Sequence, residues 1–142
     1  MPLTTKKQRN SYYKKLGDLI LGQTEDATIL GGDHNDILNK SDIITKIPNA
    51  KPIKTTKCLK KLMKQNKLID IWKIKNEHRS QFTWRRKSST EKNRIDFWLI
   101  SKDLMPLILS TDIRPAIIQY TDHLAISINS TILIKEVLAT GN

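Results

Sequence analysis

The stretch Asn93-Arg94-Ile95-Asp96-Phe97-Trp98-Leu99-Ile100 constrains this chain more than any other. Written as a strand, it sends Ile95, Phe97 and Leu99 to one face and Trp98 and Ile100 to the other. A strand that is apolar on both faces belongs in the middle of a sheet with cover on each side. Asp96 is the anomaly in it. A buried carboxylate needs a charge partner or several donors. Arg94 lies on the same face and offers a structural salt bridge. A histidine is the other natural partner, because an Asp–His pair fixes the ring tautomer.

Two more apolar segments run into acids. Ala27 to Leu30 reads as a short buried strand that enters Gly31-Gly32-Asp33-His34-Asn35. In extended chain Asp33 and Asn35 project to the same face, a carboxylate beside an amide, and the glycines permit close approach. The same residues also describe a Gly-Asp turn with an Asx cap. Further on, Tyr120-Thr121-Asp122-His123 leads into the strand Leu124 to Ile128. Strand neighbours point to opposite faces, so Asp122 and His123 converge only at a bend, which Tyr120-Thr121 allow. Read in isolation, the pair is more simply a surface turn, and the company of the other acids is what points to a site. Together the carboxylates, an Asn and a His form a hard-oxygen set that suits Mg²⁺ or Mn²⁺ rather than Zn²⁺. Phosphate-ester hydrolysis uses such parts: a cation, a base for water, and a donor for the transition state. No Walker lysine follows the glycines and no GxGxxG is present, so a phosphate-cradling loop is excluded.

The remaining sequence supplies the frame. At 142 residues it makes one compact domain. A net charge of +11, from 25 Lys+Arg against 14 Asp+Glu, points to polyanions: nucleic acid first, acidic membrane surfaces second. No apolar run approaches a membrane span, and no apolar segment follows the basic N-terminus as in a signal peptide. A single cysteine, Cys58, fits a reducing, intracellular compartment. Lys6 to Leu21 reads as an amphipathic helix with Tyr12, Leu16, Leu19 and Ile20 inward. Asp36 to Thr56 reads as irregular surface anchored by Ile43, Ile44 and Ile47. Thr55 or Thr56 caps a helix from Lys57 to Asn66 with Leu59, Leu62 and Met63 inward. Gln81 to Arg86 reads as a strand, residues 101–105 as a helical turn, and Asp112 to Ile118 as an irregular or edge strand. Thr131 to Leu138 is ambiguous between strand and helix. This order predicts an α/β or α+β fold.

Gly31-Gly32-Asp33-His34-Asn35, Phe82-Thr83-Trp84, Arg94-Ile95-Asp96-Phe97-Trp98-Leu99-Ile100-Ser101 and Thr121-Asp122-His123, in that order, resemble the endonuclease/exonuclease/phosphatase superfamily. The resemblance is strongest to the endonuclease domain of LINE-type non-LTR retrotransposons, which is similar to apurinic/apyrimidinic endonucleases. Leu68-Ile69-Asp70-Ile71-Trp72 strengthens it. The resemblance implies a four-layer αββα sandwich, of which residues 1–142 form the C-terminal half: one mixed sheet with helices on one face. It implies a Mg²⁺- or Mn²⁺-dependent DNA endonuclease by descent, acting in the nucleus. Asp33 would then activate water, Asn35 would position Asp33 and the phosphate, and Asp122 would bind the metal. His123 would stabilise charge on the scissile phosphate, with Asp96 orienting it. Thr83, Trp84, Arg85 and Arg86 would meet DNA.

Two departures stand out. His34 occupies a position that the family fills with an aromatic or aliphatic residue, and it should point into the core. The first half of the family domain, with its metal-binding Glu, is absent. Without it one sheet face should lie exposed, and the chain should be weak or inactive alone unless a complementary N-terminal half-domain joins it. A non-catalytic basic nucleic-acid-binding fragment is the competing reading. A phosphatase of the same superfamily ranks below both.

Overall fold

The computed structural model describes residues 5–22, 27–46, 57–118 and 120–131. Three α-helices, two 3₁₀ turns (Lys40–Asp42 and Lys102–Leu107, the second being the helical turn expected over residues 101–105) and eight strands occur among them. In chain order the α-helices and strands are α1 (Lys6–Leu21), β1 (Ile29–Asp33), β2 (Ile43–Ile44), α2 (Lys57–Gln65), β3 (Leu68–Asp70) and α3 (Ile71–Lys75). Then come β4 (Trp84–Arg85), β5 (Lys92–Asn93), β6 (Asp96–Ser101), β7 (Ile108–Pro115) and β8 (Leu124–Ser130). None of the described helices is long and apolar enough to cross a membrane.

The doubly apolar strand is central, as its sequence requires. β6 lies between β1 and β3 and pairs antiparallel with both. Phe97 and Leu99 face α1 and α2, where Tyr13, Leu59, Leu62 and Leu68 close the main core. Ile100 points the other way, into a second cluster with Ile71 and Ile108. β2, β5 and β4 form a second small antiparallel sheet, and β7 and β8 form a long antiparallel hairpin.

The α+β class is therefore as expected, but the expected single mixed sheet is not. All described pairings are antiparallel and fall into three pieces. Arg94 and Ile95 lie between β5 and β6, so the strand read as starting at Asn93 is broken there. The Gln81 to Arg86 strand shrinks to two residues, while the irregular segment around Asp112 is a full eight-residue strand. The expected open sheet face is only partly open. Its Ile100 end is covered by Ile71, Ile108, Leu104 and Met105, while Gly31 near the other end is exposed.

Helix α1 matches its predicted span, but its inner face is rotated. Tyr13 is buried with Leu16 and Ile20 packed beside it, whereas Tyr12 is 52% exposed and Leu19 is exposed too. The phenol decides this: Tyr13 Oη donates to the His34 carbonyl at 3.1 Å, a partner that Tyr12 lacks. Thr5 starts the helix through a capping box with Gln8. In the segment after β1, Ile37 is the buried anchor, Ile43 is half-buried and Ile44 is exposed. The proposed caps Thr55 and Thr56, the anchor Ile47 and all of the tail after Thr131 lie outside the described residues.

Candidate active site

The two glycines have different reasons. Gly31 pairs with Trp98 across β1 and β6, and the indole lies over it; a Cβ there would sit 2.1 Å from the ring. Gly32 has φ +135°, a conformation that side chains rarely adopt. The close approach permitted by Gly31 is thus an approach by the protein's own tryptophan. Asp33 follows and pairs in register with Asp96. Cross-strand partners share a face, so the two carboxyl groups stand side by side at one end of the sheet.

His123 arrives from the β7–β8 hairpin. Its backbone forms a bridge with Trp84, flanked by Leu124 N donating to Thr83 O at 2.6 Å and Arg85 N donating to Asp122 O at 3.2 Å. Tyr120 takes φ +69°, and Thr121 Oγ1 accepts from His123 N, which makes the required bend. His123 Nδ1 lies 2.9 Å from Asp96 Oδ2. Its Nε2 is 4.0 Å from Asp33 Oδ2 and 3.9 Å from Asp122 Oδ1. With Nδ1–H donated to Asp96, Nε2 is left facing the gap between Asp33 and Asp122. Of the two partners open to Asp96, the histidine is the one it takes.

Arg94 is engaged elsewhere. Its fully buried guanidinium donates to both oxygens of Asp42, at 2.9 and 3.1 Å, and to both oxygens of Asp70. It also lies over the rings of Trp72 and Phe97, at 5.1 and 5.6 Å. Burial alone would lower its pKa, but the hydrogen bonds it donates to Asp70 and Asp42 outweigh that and raise it.

Asp33 sits in a different field. Partial burial raises its pKa, the Asn35 amide opposes this, and the neighbouring Asp96 adds to the rise. Asp122 is pulled down, chiefly by the Trp84 Nε1–H bond at 2.8 Å. Oxygens of Asp33 and Asp96 and a ring nitrogen of His123 all lie within 4.8 Å of one another. Two adjacent carboxylates with an imidazole are a donor set that fits a hard divalent cation.

Asn35 does not extend the strand. It takes φ +48°, and its N–H donates to Asp33 Oδ1 at 2.8 Å. The turn and the site are therefore the same structure: an Asx turn aims the carboxylate. Arg9 Nη1 braces the turn through Asn35 O at 3.0 Å, and Tyr13 does so through His34 O. Burial pushes the Tyr13 phenol far up, which keeps its proton on the donor. Arg9 and Tyr13 escaped the sequence reading because nothing local ties a helix residue to a loop more than twenty positions away. His34 does point into the core, stacked on Phe97 at 4.3 Å with Nε2 donating to the Phe97 carbonyl.

Thr83 is corrected. It is fully buried rather than on the DNA-facing surface that the resemblance implies. Its Oγ1 accepts from Ile95 N at 3.1 Å and Asp96 N at 3.0 Å, and so fixes the start of β6. Trp84 is half-buried against Asp122, Arg85 is exposed, and exposed Arg86 pairs with Glu91 at 3.0 Å.

No protein-family model matches the chain. The Transposon TX1 uncharacterized 149 kDa protein of Xenopus laevis is 28% identical over 132 residues, which is 91% of this chain and 10% of that protein. An AP endonuclease from Archaeoglobus fulgidus superposes with a TM-score of 0.69 at 14% identity, over 87% of this chain and 53% of its own. The 3′ phosphatase NExo from Neisseria, bound to product DNA hairpin, gives 0.69 at 14% identity over 88% and 52%. The 3′-5′ exonuclease NExo from Neisseria meningitidis gives 0.67 at 15% identity over 88% and 52%. The chain thus spans about half of each of these solved structures and a tenth of the transposon protein. It has the α+β fold of the AP endonuclease, exonuclease and phosphatase proteins.

Proposed function

We propose that this chain carries one half of a divalent-metal-dependent DNA phosphodiesterase of the retrotransposon endonuclease type. The observation that supports it most is the convergence of Asp33, Asp96 and His123 from three separate strand ends. Plain nucleic-acid binding has no use for adjacent carboxylates, which repel phosphate. In this reading Asp33 accepts the proton of the attacking water, and its raised pKa suits a base. Its Asx turn with Asn35 holds the accepting oxygen in place. His123 donates from Nε2 to a non-bridging oxygen of the phosphate, while Asp96 holds Nδ1 and so the ring orientation. Arg85 and Arg86 meet the DNA backbone beside Trp84. Asp122 is the group that would hold Mg²⁺ or Mn²⁺, beside the negative charge of Asp33 and Asp96. When bound, the ion would neutralise phosphate charge and favour ionised water. A complementary half-domain supplies the rest of the ligand set, and the present half alone is a slow enzyme.

Nicking of supercoiled plasmid tests this. The expected result is slow cleavage that needs Mg²⁺ or Mn²⁺ and disappears in His123→Ala. Thermal denaturation gives a second readout: Mn²⁺ should raise the Tm of the parent chain and leave that of Asp122→Asn unmoved. Equal shifts in both chains would sink the metal assignment. The net charge of +11 favours a second reading, a non-catalytic basic module, which predicts nucleic-acid binding with neither nicking nor a metal-dependent Tm.

A further inference from the structure

The aim of the Asp33 carboxylate depends on the direction of one N–H. Asp33 Oδ1 accepts from Asn35 N at 2.8 Å, which leaves Oδ2 on the side of His123 Nε2, 4.0 Å away. That N–H belongs to the His34–Asn35 peptide. A trans peptide is planar, with its N–H and C=O pointing in opposite directions. Tyr13 Oη donates to the carbonyl end of this same plane at 3.1 Å. One peptide is therefore held at both ends, by the phenol on its oxygen and by Asp33 on its amide. Arg9 Nη1 holds the next peptide through Asn35 O at 3.0 Å.

The turn needs holding. Gly32 at φ +135° and Asn35 at φ +48° put two uncommon conformations into four residues. A left-handed residue other than glycine raises the backbone energy and persists where its surroundings over-determine it. Tyr13 is suited to do so, because its ring is buried in the main core with Leu59, Phe97 and Leu99 and cannot drift. Arg9 is less easily explained by stability. Its Nε is buried without a hydrogen-bond partner, a desolvated donor that opposes folding. An apolar side chain would remove that cost but could not hold the Asn35 carbonyl.

We infer that Tyr13 and Arg9 are positioning residues for the proposed reaction: from α1 they fix the Asx turn and so set where Asp33 Oδ2 stands relative to His123. The inference rests on the reading of Asp33 as the base. Neither side chain is asked to touch DNA. Their loss acts on the chemical step, where a misplacement of about 1 Å can cost on the order of 100-fold in rate.

The experiment compares the full chain with Tyr13→Phe, Arg9→Met and the double variant, by amide hydrogen exchange and by plasmid nicking. Exchange reads the turn without metal or DNA. Relative to the Leu99 amide in β6, which reports the core, the Asn35 amide should exchange about tenfold faster or more in each variant. Equal quickening at both amides would make the two residues structural and overturn the inference. In nicking, kcat should fall about tenfold or more while KM stays within about twofold. A raised KM with kcat intact would mean direct contact with DNA and overturn the positioning role. The double variant should be little slower than the slower single variant, because both act through one turn; fully multiplicative losses would overturn the shared role. Arg9→Met should leave Tm unchanged or higher, and a lower Tm with an unaltered Asn35 amide would make Arg9 structural. Lys6→Met, an equal loss of charge on the same helix, should change neither readout; an effect matching that of Arg9→Met would reduce the result to net charge. A parent chain that does not nick overturns the proposed reaction, and exchange alone then decides whether α1 holds the turn.

Discussion

Arg94 and Asp96 stand two residues apart, yet they belong to two clusters of charge that differ in kind. The cluster of Arg94, Asp42 and Asp70 is closed. All four carboxylate oxygens accept from one guanidinium, and the side chains are almost wholly buried. The cluster of Asp33, Asp96 and His123 is open. Asp33 and His123 keep 25% and 23% of their side-chain surface, and among the described residues no lysine or arginine pairs with the adjacent carboxylates of Asp33 and Asp96. The closed cluster ties the loop before β2, the end of β3 and the approach to β6 into one body. The open one leaves charge unbalanced where a ligand can reach it. Aspartates alone do not separate a structural site from a chemical one; the completeness of their partners does.

Four measurements of stability and activity can break or sharpen this contrast. Arg94→Met should have the largest effect, because it strands two buried carboxylates; the expected loss is about 3–5 kcal/mol in urea unfolding. A loss no larger than that of an exposed arginine would remove the distinction between the clusters. Thr83→Val should come next, at roughly 1–3 kcal/mol, since the Ile95 and Asp96 amides would lose their shared acceptor. His123→Ala should cost under about 1 kcal/mol of stability while abolishing nicking, as expected of a part-exposed group. A large stability loss there would make the open cluster structural after all.

The smallest effect concerns pH. Burial lowers the pKa of His34 below its ordinary 6.5, so the unfolded chain takes up that proton first as pH falls. Its contribution to stability is intact above about 6.5 and is lost as pH drops through the window below that value. His34→Phe keeps a ring against Phe97 and should flatten this part of the stability–pH curve. An unchanged curve would show that His34 is not the group responsible.

Much of the frame was legible in the sequence. The span of α1, the central position of β6 and the inner residues of α2 follow from periodicity, because burial imposes a local period on each element. The acids at strand ends were legible as anomalies for the same reason. The inner face of α1 was not, since Tyr12 and Tyr13 are equally good by hydrophobicity and a distant carbonyl chooses between them. The long β7 was obscured by Pro115, which proves to stand at its last position, where a strand tolerates proline.

By itself the sequence determined that one strand must be buried on both faces and that its carboxylate must be paired. It also set the acids, the amide and the histidine in an order that fits phosphoryl chemistry. Only the tertiary structure decided the pairing. Arg94 reaches Asp42 across 52 positions and Asp70 across 24, and Asp96 reaches His123 across 27. Side-chain period reports which way a residue points. Which partner waits there depends on strand neighbours and loop closures, and these are set by the whole chain folding at once.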